Sequence, residues 1–221
     1  MGNYNLFADE YARKTAQLET DSRNNYYSLL PSNLEGKILL DVGCGSGQDA
    51  EYYTQQRAKV YGLDISEKEI ELANIKNIGE FRVGDMKKLP YESNTFDIVT
   101  SFYALQASDD LPKALEEMVR VAKPKATILV LAKHPMRNLL EGWKNNNKLN
   151  YYEKGNVTSY ILDKTITLNE PSHTMMEYLN PSLVSKVELQ HFEERSDFPA
   201  SEQIVSNLIY PTYLIMKLIK K

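Results

Sequence analysis

Between residues 36 and 132 the chain alternates short apolar runs with segments whose apolar residues return every three or four positions. Runs of the first kind suit strands buried on both faces. Segments of the second kind suit amphipathic helices, so the alternation predicts βαβ units around a parallel sheet. The predicted strands are Lys37–Val42, Lys59–Leu63, Glu80–Val83, Phe96–Phe102 and Lys125–Ala132. Helix starts fall between them. Ser66 with Glu69 reads as a capping box. Asp109 and Asp110 precede Pro112, with Leu111, Leu115, Met118, Val119 and Ala122 at helical spacing, and Pro124 is expected to end that helix.

Two regions leave this rhythm. In residues 1–30, Phe7, Tyr11 and Leu18 fall on one helical face, which predicts a helix laid over the sheet as a lid. Residues 135–180 are polar and punctuated by Gly142, Asn145 to Asn147 and Gly155, which predicts an insertion capping the site. Within residues 181–221, Lys186–His191 and Tyr213–Ile219 are expected to pair antiparallel at the sheet edge. The whole reads as one domain.

Composition narrows the partners. With 42% hydrophobic and 25% charged residues over 221 positions, the chain is an ordinary globular one able to bury a large core. Its net charge of −4, without clustered Lys and Arg, argues against general nucleic-acid binding. Cys44 stands alone, so no disulfide forms within the chain, and MGNYNLFADEYARK lacks the layout of a signal peptide; both predict a cytoplasmic setting. The apolar run Leu208–Ile219 is broken by Pro211 and Lys217 and is too short to span a bilayer. No metal-ligand spacing and no Ser-His-Asp arrangement is evident, so no metal and no covalent nucleophile are expected.

The chemistry gathers in LLDVGCGSGQDA, Leu39 to Ala50. A dinucleotide fingerprint needs glycine at the sixth position from Gly43, where Gln48 stands instead. What remains is Gly43, Gly45 and Gly47, a turn that lets a ligand approach the backbone, with Ser46 and Asp49 expected to cap the next helix. Asp41 ends the first strand, where a pyrophosphate would meet like charge and a cation would be welcome. S-adenosylmethionine, with its ammonium and sulfonium, fits that demand better than NAD. Asp64 closes the second strand at the distance where a carboxylate conventionally grips ribose hydroxyls. Asp85 closes the third, where its carboxylate suits an adenine amino group and the Met86 N–H a ring nitrogen. In a doubly wound sheet all three strand ends meet one cleft.

Through LLDVGCGSG, YGLDIS, GDMKKLPYESNTFDIVTSFYAL and VAKPKATILVLA, over residues 36–132, the sequence resembles class I S-adenosylmethionine-dependent methyltransferases, in particular the UbiE-like and small-molecule group. The resemblance implies a Rossmann-like sheet of seven strands, the last antiparallel. It implies a cofactor lying across Asp41 to Gly47, Asp64 and Ile65, Asp85 and Met86, and Ser101 and Phe102, with Tyr11 added from the N-terminal helix. It implies methyl transfer to a small-molecule acceptor. RNA or protein methylation and non-catalytic cofactor binding are the alternatives; nucleic-acid amino-methylating relatives usually carry Asn/Asp-Pro-Pro-aromatic where this chain reads TSFYAL.

Other residues stay with simpler roles. Cys44 reads as turn packing, and most of the 15 tyrosines as core or surface, with Tyr151 and Tyr152 as substrate candidates. His191 reads as structural. His134, directly after the fifth strand, and His173, in the insertion, are the candidate general bases for an acceptor that must lose a proton.

Overall fold

The structure, a computed structural model, describes residues 21–144, 150–161, 166–196 and 208–221. Its centre is a seven-stranded sheet. The strands are β1 (Ile38–Val42), β2 (Lys59–Asp64), β3 (Glu80–Val83), β4 (Phe96–Phe102), β5 (Ala122–Lys133), β8 (Val187–Arg195) and β9 (Tyr213–Lys220), in the order β3-β2-β1-β4-β5-β9-β8. The first five are parallel, and β9 runs antiparallel to both β5 and β8. The chain order reverses at β1, which pairs with β2 on one side and β4 on the other. A crevice opens at such a switch point, outside the carboxyl ends of the strands.

Alternation along each central strand splits the core into two layers. Leu40, Val99, Val130 and Met216 face one side, with Leu115 and Met118 of helix α4 (Leu111–Val121). Leu39, Ile98, Leu129 and Ile215 face the other. There they meet Tyr26 of α1 (Asp21–Ser28), Tyr53 of α2 (Gln48–Gln55) and Ile70 of α3 (Glu67–Ile75). Burial on both faces is why these strands read as unbroken apolar runs.

The helix starts follow local chemistry. Ser66 Oγ accepts the Glu69 N–H at 3.2 Å, and the Asp110 carboxylate accepts the Lys113 N–H at 3.1 Å. Two expectations need correction. Ser46 does not cap α2: Gly47, at φ 73°, holds the cap position without a side-chain bond, and Asp49 instead accepts from the Tyr27 hydroxyl. Nor does Pro124 end α4. The helix stops at Val121 and Pro124 lies inside β5, in a bulge where pairing with β4 passes from Ala122 to Thr127, so no ladder bond is lost.

The 135–180 stretch is more ordered than its composition predicts. Helix α5 (Pro135–Lys144) leaves β5 directly, and β6 (Asn156–Ile161) pairs antiparallel with β7 (Ile166–Pro171) as a separate hairpin. Two short helices, α6 (Met175–Tyr178) and α7 (Pro181–Lys186), lead on to β8. A buried ionic cluster joins the hairpin to the sheet. Lys133 Nζ lies 2.9 Å from Glu141 Oε2 on α5 and 2.6 Å from Glu170 Oε2 on β7, and Arg137 Nε lies 2.8 Å from Glu141 Oε1. Burial pushes the Glu141 pKa up, but Lys133 and Arg137 outweigh it and hold the carboxyl below its usual range. Tyr11 and the rest of the N-terminal stretch before Asp21 lie outside the described residues. Among the described residues no helix is long and apolar enough to cross a membrane.

Candidate functional site

The turn after β1 is held by its neighbours. The Gly43 and Cys44 N–H groups both donate to the Leu63 carbonyl, at 2.7 and 3.1 Å, which fastens the turn to the end of β2. Gly43, Gly45 and Gly47 all have positive φ, at 75°, 50° and 73°. Gly43 also has no room for a side chain, since a Cβ would sit 2.1 Å from Ala104 Cβ. At Gly45 such a Cβ would make one ordinary contact, with Glu69 Oε2 at 3.6 Å, so the turn there forms a cradle with Glu69 at its rim.

Asp64 organises the cradle. Its Oδ2 accepts the Gly45 N–H at 2.9 Å and its Oδ1 the Ser66 N–H at 2.9 Å, while its carbonyl accepts the Gly84 N–H at 2.8 Å and draws in the end of β3. Each carboxylate oxygen keeps a lone pair for a hydroxyl ligand. Ile65, 42% exposed, presents an apolar surface beside it. Asp85 accepts the Lys87 N–H at 2.8 Å, and Met86 Cε lies 3.9 Å from the place of a Gly43 Cβ. Phe102 stands edge-on to Tyr26 and Tyr103, and the Arg23 guanidinium sits 4.8 Å over its ring.

The expected residues therefore fall into two ranks. Gly43, Gly45, Asp64, Ile65, Asp85, Met86 and Phe102 keep exposed surface at the strand ends, whereas Asp41, Gly47 and Ser101 are buried behind them. Asp41, only 1% exposed, accepts the Thr100 hydroxyl at 3.0 Å, and Ser101 Oγ donates to the Val42 carbonyl at 2.9 Å. Burial pushes the Asp41 pKa well up, and the nearby Asp49 and Asp64 carboxylates add to it against the Thr100 bond. Burial raises Asp64 too, against the bonds from Ser66 and Gly45.

The two histidines differ in what their rings have left. His134 is pinned: Nε2 lies 2.6 Å from Glu194 Oε1, and Nδ1 accepts the Met136 N–H at 3.0 Å, which leaves no free ring lone pair. His173 sits between β7 and α6 with Nδ1 3.6 Å from Glu177 Oε2 and neither ring nitrogen hydrogen-bonded. Burial lowers the pKa of both rings, against Glu194 for His134 and Glu177 for His173. His191, on β8, bonds Glu193 Oε2 at 3.0 Å.

Sequence reading missed Ala104, Arg23, Lys133 and Asn138. A lysine closing the otherwise apolar ILVLAK run was a signal for a buried ion pair; Asn138 gave none.

A mostly parallel sheet with helices on both faces and a glycine turn after its first strand defines a Rossmann-like α/β fold. Comparison with known proteins is more specific: residues 40–130 match the methyltransferase domain family. Over that segment the class I resemblance carried by the sequence motifs holds. The chain is 31% identical over 132 residues to a malonyl-[acyl-carrier protein] O-methyltransferase of Pectobacterium atrosepticum, covering 58% of this chain and 52% of that protein. It is 36% identical over 114 residues to a demethylmenaquinone methyltransferase of Lactococcus lactis, covering 47% and 45%. The chain thus spans about half the length of the curated relatives it matches. A solved S-adenosylmethionine-dependent methyltransferase from Mesorhizobium loti shares the fold at a TM-score of 0.67 and 19% identity, covering 89% of this chain and 96% of that one.

Proposed function

We propose that the chain transfers a methyl group from S-adenosylmethionine to a small-molecule acceptor by in-line displacement. The observation that carries this reading is the sign of the turn. Asp49 and Asp64 lie close enough to Asp41 to raise its cost of ionisation, an acidic environment that repels a pyrophosphate and attracts an ammonium or sulfonium. The residues present fit the cofactor in shape as well. The cradle over Gly45 admits a ligand against the backbone, Asp64 has lone pairs for ribose hydroxyls, Ile65 offers an apolar face for adenine, and Asp85 with the Met86 N–H can read its polar edge.

S-adenosylmethionine, when bound, supplies a methyl group already made electrophilic by the sulfonium. The chain's residues have then to hold an acceptor atom in line, exclude water and, for an acceptor that must lose a proton, receive it. In this reading the acceptor is covered by α5 and the β6–β7 hairpin, which follow β5 and are fastened to it by Lys133. The relatives named for acyl-carrier-bound malonyl and for demethylmenaquinone support acceptors other than nucleic acid, as does the net charge of −4.

Calorimetry tests the cofactor: S-adenosylmethionine and S-adenosylhomocysteine should bind, and NAD and NADP should not. Tighter NAD binding would overturn the reading. An acceptor screen scored by release of S-adenosylhomocysteine tests the reaction, and tight, salt-sensitive RNA binding in a gel shift would favour the nucleic-acid alternative.

A further inference from the structure

The amino-acid end of S-adenosylmethionine carries a carboxylate on the same carbon as its ammonium. Acids that welcome the one repel the other, so a cofactor seated beside Asp41 calls for a cation close by. Helix α1 supplies one in Arg23.

Arg23 stands between the glycine turn and the end of β4. Its guanidinium lies 4.8 Å from the centre of the Phe102 ring, and its Nε lies 3.7 Å from Asp49 Oδ1 in the first turn of α2. Asp41 pairs with Thr100, so Phe102, two residues on, closes β4 beside the start of the turn. Arg23 also acts on Asp41, and among the described groups that do so it is the basic one, set against Asp49 and Asp64. Lys76, a second cation near the turn, is engaged by Glu51 and by the Gly47 carbonyl, 3.5 Å from its Nζ.

The helix that carries Arg23 is itself fixed. Tyr26, fully buried, stands edge-on to Phe102 and donates its hydroxyl to the Leu129 carbonyl at 3.2 Å. Tyr27 stacks flat on Tyr52, ring centres 3.8 Å apart, and donates to Asp49. Asn25 Nδ2 donates to the Tyr213 hydroxyl at 3.2 Å. Anchored in this way, α1 presents the guanidinium already placed, which lowers the entropic cost of binding through a long side chain. The Arg23 side chain is 18% exposed, so an anion beside it is screened less than at an open surface.

The shape of the fork selects the ligand. A guanidinium has five N–H donors and no acceptor, in a plane that matches the two oxygens of a carboxylate. Phe102 offers it a π face and no lone pair, and the Asp49 contact at 3.7 Å is an ion pair too long for a hydrogen bond. A carboxylate from the ligand meets the fork in full. Resting on the S-adenosylmethionine reading and deepening it, we propose that Arg23 receives the carboxylate of the cofactor's amino-acid end, so that the site reads an intact amino acid and discriminates against a decarboxylated cofactor. S-adenosylhomocysteine keeps that carboxylate, so Arg23 grips the cofactor before and after methyl transfer. Its part is in binding and register, and the sulfonium is left to the acids.

The test is calorimetry on the full chain with three adenosine ligands: S-adenosylhomocysteine, its decarboxylated form, and 5′-methylthioadenosine, which lacks the whole amino acid. The wild type should bind S-adenosylhomocysteine at least about tenfold more tightly than the decarboxylated form, the worth of one charge-assisted hydrogen bond. Arg23→Gln should bind those two alike and hold 5′-methylthioadenosine within about twofold of wild type, and Arg23→Lys, which keeps the charge without the fork, should retain part of the preference. Equal binding of the first two ligands by the wild type overturns the proposal. So does an equal loss of all three in Arg23→Gln, which would make Arg23 a support for α1 alone. Should Arg23→Gln not fold, the wild-type Arg23 Nε–H resonance decides: it should move with S-adenosylhomocysteine and stay with the decarboxylated form, and equal movement overturns the contact. If none of the three ligands binds, the cofactor reading itself falls; if all bind without regard to the carboxylate, only the role of Arg23 does.

Discussion

Gly43 and Gly45 lie in one turn but answer different demands, and one methyl group on each should separate them. At Gly43 both the positive φ and the 2.1 Å approach to Ala104 oppose a side chain, so Gly43→Ala should lower unfolding stability by about 2–4 kcal/mol in urea titration. At Gly45 only the backbone conformation objects, a cost of about 1 kcal/mol, yet the new Cβ would stand in the cradle. Gly45→Ala should therefore remain folded and lose S-adenosylhomocysteine affinity by about tenfold or more; retained affinity would show that nothing sits over that glycine. Asp64→Ala removes the acceptor for Gly45 and Ser66 together with the ribose partner, and calorimetry should register a loss of about 1.5–3 kcal/mol in adenosine-cofactor binding. These residues were legible in the sequence because each is adjacent along the chain to a strand end that the apolar pattern marks. Arg23 was not, because its meaning comes from Asp49 and Phe102, which only folding brings beside it.

At the scale of elements, the five parallel strands could be read because burial on both faces writes them as apolar runs. The β6–β7 hairpin could not: NVTSYI and ITLNEP are short, half polar and set among asparagines, so their composition resembles a loop. What orders the hairpin is a partner far away in sequence, the Lys133 ammonium under Glu170. Glu170→Ala should leave Lys133 buried with Glu141 alone and cost about 3 kcal/mol, with amide exchange in β6 quickening well beyond that in β1. Replacing Lys133 and Glu170 together by Met should recover most of that loss. Equal quickening in β6 and β1 would show the hairpin opens only when the whole sheet does. Because Glu141 is held below its usual range, its contribution is present above the unfolded carboxyl pKa near 4 and fades as acid approaches the lower folded value. The link between α5 and the end of β5 should therefore hold through mild acid.

For the whole molecule, a cluster of acids at the heart of the sheet sets stability against binding. Asp41 titrates higher folded than unfolded, so the folded state binds the extra proton between those two values and loses stability as pH rises through the folded one. Asp41→Asn keeps an oxygen for Thr100 and removes the buried charge, so its urea midpoint should exceed wild type at pH 8 and converge with it as pH falls. A constant gap would mean Asp41 is ionised throughout. The same protons have a second consequence, for turnover. A cation entering beside Asp41 and Asp64 favours their ionised forms and should expel protons into the medium, so the heat of S-adenosylmethionine binding at fixed pH should change with the ionisation enthalpy of the buffer. S-adenosylhomocysteine has surrendered the sulfonium charge along with the methyl group and should expel fewer. Proton uptake at the turn then accompanies methyl transfer and loosens the product's hold, so acidification should weaken S-adenosylmethionine more than S-adenosylhomocysteine, and product inhibition should ease as pH rises.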